Sequence, residues 1–81
     1  MSDPLPADTP AFSVVLFRSV HGALAAEREL AQAGIPQRLV PVPRHLASDC
    51  GFCVRFARED RARVETTLDA DRLGITGIVD L

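Results

Sequence analysis

Residues 12–42 read FSVVLFRSVHGALAAERELAQAGIPQRLVPV, and this one stretch passes from a strand pattern to a helix pattern and back. Phe12 to Phe17 is β-branched and aromatic, which predicts a buried strand. Ser19 can then cap a helix whose apolar positions Val20, Ala23, Leu24, Leu30 and Ala31 recur at roughly helical spacing, and Gly34 followed by Pro36 stops it. The helix is therefore expected over Val20 to Ala33. Gln37 to Val42 returns to a strand pattern, and Pro41, which has no N–H to give to a ladder, places that strand at a sheet edge.

Downstream, Cys50 to Ala57 (CGFCVRFA) alternates, with Phe52, Val54 and Phe56 on one face and Cys53 and Arg55 on the other. Arg58 to Ala70 carries a thin apolar stripe, Ala62, Val64 and Leu68, as expected of a helix lying on a sheet. Gly77 to Leu81 closes as a short strand. The order β-α-β-β-α-β predicts an α+β, ferredoxin-like sandwich: a four-stranded antiparallel sheet with two helices on one face. Right-handed crossovers put the first two strands parallel, with the third between them. The loop from strand two to strand three then lies at the same end of the sheet as the turn into the first helix.

Eighty-one residues hold one domain with a compact core, expected over residues 12–81, behind a disordered tail over residues 1–11. Apolar residues make up 47 % of the chain but never run unbroken for the roughly 18 to 20 positions a membrane span requires, so they belong to a folded interior. The first eleven residues carry Asp3, Asp8 and three prolines rather than a basic and then apolar signal segment. Net charge is −2 and the basic residues, all arginine, are scattered, which argues against nucleic acid as a partner. Without a signal segment, the two cysteines imply a reducing, cytoplasmic setting in which thiols work or pack rather than bridge.

The richest chemistry lies in Pro43-Arg44-His45-Leu46-Ala47-Ser48-Asp49-Cys50-Gly51. By topology this loop faces Arg18, Ser19 and His21, where a helix N-terminus favours an anion such as a thiolate at Cys50. Lowering an ordinary cysteine pKa of about 8.5 by roughly two units would leave it mostly ionised at neutral pH. Against this, a lone cysteine at a strand start is more often a packing residue, His21 can simply occupy the first helical turn, and Arg44 can be a loop charge. Cys50 and Cys53 form a C-x-x-C, yet the motif opens a strand rather than a helix. Extended, its two Cα atoms stand about 10 Å apart and point to opposite faces, beyond disulfide reach. A zinc set lacks a second ligand pair, so no metal and no cofactor is expected. Cys53 is read as an apolar residue on the helix-free face, where an exposed apolar patch would suit a homodimer or a larger partner.

Gly34-Ile35-Pro36, Leu39-Val40-Pro41-Val42-Pro43-Arg44, Ser48, Cys50-Gly51, Arg55-Phe56 and a closing Gly-Ile segment together resemble the small bacterial selenium/sulfur carrier-like proteins, a family of domains of unknown function. The resemblance runs from Ser13 to Leu81, and the chain departs from the pattern at Asp49 and in carrying Cys53. It implies a carrier or accessory protein rather than a stand-alone enzyme. Cys50 would take sulfur or selenium as a persulfide or selenopersulfide from a cysteine or selenocysteine lyase-type donor and hand it to an acceptor enzyme. Arg44, Gly51 and Ser19 would stabilise the anion, and His21 or His45 would move a proton. Two other classes compete: a small-ligand or protein-binding regulatory module, and a thiol redox or metal-binding protein using both Cys50 and Cys53.

Overall fold

The computed structural model describes residues 11–46 and 51–81. The chain runs β1 (Phe12–Phe17), α1 (Val20–Gln32), β2 (Gln37–Pro41), β3 (Phe52–Ala57), a 3-10 turn (Arg58–Asp60), α2 (Arg61–Thr67), α3 (Ala70–Leu73) and β4 (Ile75–Asp80). The strands form one sheet in the order β2-β3-β1-β4, and every neighbouring pair is antiparallel. This is the α+β architecture expected, with β3 between β1 and β2. Of the expected tail only Ala11 is described, and its carbonyl accepts from the Arg58 N–H at 2.9 Å; residues 1–10 lie outside the described residues.

Alternation sorts each strand into two faces. Val15, Phe17, Val54 and Phe56 form the main core with Ala23, Ala26 and Leu30 of α1, Val64 and Leu68 of the α2 region and Leu73 of α3. All helices therefore cover one face. The opposite face gathers Val14, Leu16 and Cys53 with Val40, Val42, Leu46 and Val79, and no helix residue joins them. An exposed apolar patch was expected there, but Val14 and Cys53 are 0 % exposed and Leu16 only 8 %. The difference has a physical cause: Val42 and Leu46, beyond β2, pack against the cluster together with Val40 and Val79.

α1 ends as its sequence dictates. Gly34 takes φ +77°, the left-handed conformation that glycine adopts without a Cβ penalty. This lets the Gly34 N–H reach the Ala31 carbonyl at 3.1 Å and the Ile35 N–H reach the Leu30 carbonyl at 2.9 Å. The pair of bonds is a Schellman cap, and its usual apolar contact is supplied by Leu30 and Ile35, both buried.

The second helix departs from the single span expected over Arg58 to Ala70. It is broken at Leu68 and Asp69, both extended. The break turns Leu68 into the core, where it is 7 % exposed, and frees Asp69 to cap α3 by accepting from the Arg72 N–H at 3.1 Å. The two threonines before the break favour it, because β-branched residues hold a helix weakly. β4 begins at Ile75 rather than Gly77, since Gly74 at φ +69° ends α3 and the strand picks up Phe17 as its partner.

At the far edge of the helical layer Ser13, 0 % exposed, donates its hydroxyl to Asp80 Oδ1, and Arg61 adds an ion pair to the same oxygen at 2.7 Å. The Ser13 hydroxyl first, then Arg61 and Arg58, hold the Asp80 carboxyl below its ordinary value. A depressed carboxyl contributes stability that is present above its unfolded pKa of about 4 and is lost as pH falls through the lower folded value. Glu29, lowered by its bond to Arg72, acts in the same direction. Urea midpoints are thus expected to fall on acidification below about pH 4, and to fall less in Asp80→Asn than in the native chain.

Candidate functional site at the upper end of the sheet

β1 ends at Phe17, and at this upper end of the sheet lie the start of α1, the C-terminus of α3 and the β2–β3 connection. The Arg18 N–H ties the first two together by donating to the Gly74 carbonyl at 2.8 Å. The connection is closed at its base, where the Val42 N–H donates to the Gly51 carbonyl at 3.0 Å. Gly51 is exposed and takes φ +78°, a conformation open to glycine and costly to other residues. Within the loop the Leu46 N–H donates to the Pro43 carbonyl at 3.0 Å, making a turn that exposes Arg44 and His45 and sends Leu46 onto the helix-free face. Cys50, with Ala47, Ser48 and Asp49, lies outside the described residues.

Ser19 stands at the N-cap of α1 in an extended conformation, but its side chain makes no capping bond, and α1 has no acidic residue in its first turn. His21 is exposed on that turn. Both open onto a cleft of about 390 Å³ shared with Arg18, Gly22, Arg72 and Gly74. Arg44 and His45 do not line it. The candidate groups accordingly divide into two sets at one end of the molecule: Ser19 and His21 in a cleft on the helical layer, and Arg44, His45 and Gly51 in the loop.

Cys53 is distinct from both. Its side chain is 0 % exposed and sits against Val14 and Leu16 below the loop, with Sγ 3.9 Å from the Pro41 carbonyl. Register places it opposite Leu16 on one side and Val40 on the other. Among the described residues, no three His, Cys, Asp or Glu side chains gather as a metal-binding set, and no helix is long and apolar enough to cross a membrane.

Gly22 is the position that motif reading passed over. A Cβ built there would stand 2.0 Å from the Leu73 carbonyl oxygen, so the missing side chain is what lets α1 lie against the end of α3 and form the cleft wall. The signal was present: an interior glycine costs a helix about 1 kcal/mol relative to alanine, and such a residue marks a close backbone approach.

The profile of the family described as "Putative Se/S carrier protein-like" matches residues 13–80. The chain belongs to that family. No curated protein and no solved structure matches it. The Se/S carrier-like match runs from the second residue of β1 to the end of β4 and takes in every described helix, so the cleft and the β2–β3 connection fall inside the family domain.

Proposed function

We propose that this Se/S carrier-like protein carries a sulfur or selenium atom on Cys50 between a donor and an acceptor enzyme in the cytoplasm, where thiols stay reduced. The observation that carries the assignment is the burial of Cys53. The chain has two cysteines, and one of them is 0 % exposed against valine and leucine. Attack on a protein-bound donor requires access that a buried thiol lacks, which leaves Cys50. Its sequence neighbour Gly51 is exposed, takes a positive φ and has nothing within 4 Å of a built Cβ. Arg44 and His45, both exposed on the same loop, are the groups proposed to favour the thiolate and to move its proton. Ser19 and His21 are assigned the same supporting roles from the α1 side.

In the transfer, the Cys50 thiolate attacks the terminal sulfur of a donor persulfide. A new S–S bond forms at Cys50, the donor S–S bond breaks, and the donor cysteine leaves as a thiolate that takes up a proton. Sulfur changes hands without net oxidation, and a selenopersulfide donor would pass selenium in the same way. Incubation with a cysteine or selenocysteine lyase and its substrate is expected to add the mass of one sulfur or one selenium atom per chain, removed by a thiol reductant. No adduct, or an adduct that the reductant does not discharge, would refute the carrier role.

A further inference from the structure

On the helix-free face two arginines stand directly opposite each other. Arg38 of β2 is paired in register with Arg55 of β3, and alternation puts both on the side of Val40, Cys53 and Val14. Like charges at directly opposed positions repel. Neither side chain has a carboxylate partner among the described residues, all of whose ion pairs involve Arg58, Arg61, Arg63 or Arg72. Arg55 lies instead over the Phe12 ring, 4.5 Å from its centroid, which fixes one guanidinium in place. Phe12, Arg38 and Arg55 line a cleft of about 190 Å³.

The acidic residues are distributed the other way. Described aspartates and glutamates fall within residues 27–29 and 59–71, on or beside the helices, and at Asp80, which Ser13 and Arg61 turn to the helical side. The helix-free face thus holds Arg38 and Arg55 and no described aspartate or glutamate. Val40, next to Arg38 on this face, is only partly buried, and Val42 and Leu46 continue the strip toward the β2–β3 connection. Cations bordering an apolar strip fit a polypeptide that offers both carboxylates and apolar side chains, and fit a hydrated inorganic anion poorly.

We propose that this face is the docking surface for an acidic segment of a partner protein, with a partner carboxylate bridging Arg38 and Arg55. The surface stands on charge and register alone; that the partner is a chalcogen donor or acceptor rests on the carrier reading. A fluorescein-labelled alternating glutamate–leucine peptide should bind saturably, as read by anisotropy. The Arg38→Gln, Arg55→Gln double variant should weaken binding about tenfold or more, equivalent to roughly 1.4 kcal/mol. The Arg28→Gln, Arg63→Gln double variant, which removes the same charge from the helical layer, should not. Arg38→Lys with Arg55→Lys should keep most of the binding, because the attraction is chiefly between charges. Equal binding by both glutamine double variants would overturn the proposal, as would equal binding of a glutamine–leucine peptide, or full displacement by acetate at matched carboxylate concentration. Loading of Cys50 from a low-molecular-weight persulfide, measured on the native chain, reports on the carrier role separately. Docking without loading would sink that role alone, and loading without docking would sink this proposal alone.

Discussion

Gly22→Ala is expected to lower stability by about 3 kcal/mol, at the upper end of the range for overpacking. The added methyl would stand 2.0 Å from the Leu73 carbonyl oxygen and 3.3 Å from the Phe17 ring. The obstacle is backbone, so no rotamer change relieves it; α1 has to move away from the end of α3. Helix propensity works against the loss, since alanine gains about 1 kcal/mol over glycine in a helix interior, and the clash is expected to exceed that gain. For a domain of this size total stability is about 4 to 12 kcal/mol, so the loss is a large fraction of it. At roughly 4 to 8 °C per kcal/mol, the melting temperature should drop by about 12 to 24 °C. Gly77→Ala is the matched control. It lies in β4 with nothing within 4 Å of a built Cβ, and should leave the melting temperature unchanged or slightly raised. A Gly22→Ala protein that melts with the native chain would mean that α1 and α3 are not held in this contact.

The second large effect separates the two cysteines by what each substitution removes. Cys50→Ser should abolish chalcogen loading from a lyase-type donor, because a hydroxyl is neither a comparable nucleophile nor able to hold a persulfide. Its stability is not the diagnostic. Cys53→Ser should do the reverse. It places a hydroxyl in a fully buried site against Val14 and Leu16, where the shorter C–O bond must reach the Pro41 carbonyl that Sγ now faces at 3.9 Å, and costs about 1 to 3 kcal/mol to the extent that it falls short. Chains that remain folded should load at the native level. Intact mass and urea titration of the two variants read out both halves of the contrast. Loss of loading in folded Cys53→Ser would restore a two-cysteine mechanism.

How much of this was legible in the sequence depends on how local each cause is. β1 was placed to the residue because its β-branched run is bounded by Arg18 and Ser19, and α1 to within its cap because Gly34 and Ile35 are the elements of a Schellman ending. The path of β3 between β1 and β2 followed from the β-α-β-β-α-β order together with the right-handed crossover. The break at Leu68 and Asp69 was not legible, because it is settled by whether Leu68 can reach the core, a tertiary matter. Nor was the cover over Val14 and Cys53, since a loop's path over a sheet leaves no periodic trace. Cys53 was read as an apolar residue from alternation, and its burial agrees with that reading. Arg38 and Arg55 were invisible as a pair because register, which brings residues 17 positions apart face to face, is fixed only when the strands meet.

The most direct test of the central claim is to locate the transferred atom in the native chain. After incubation with a cysteine or selenocysteine lyase and its substrate, remaining thiols are alkylated in the folded state and the protein is digested for peptide mass spectrometry. The account predicts the added sulfur or selenium on Cys50, located by fragmentation of the 45–55 peptide that carries both cysteines, with Cys53 unmodified until urea is added. An adduct on Cys53 in the folded protein, or one shared equally between the two cysteines, would contradict it.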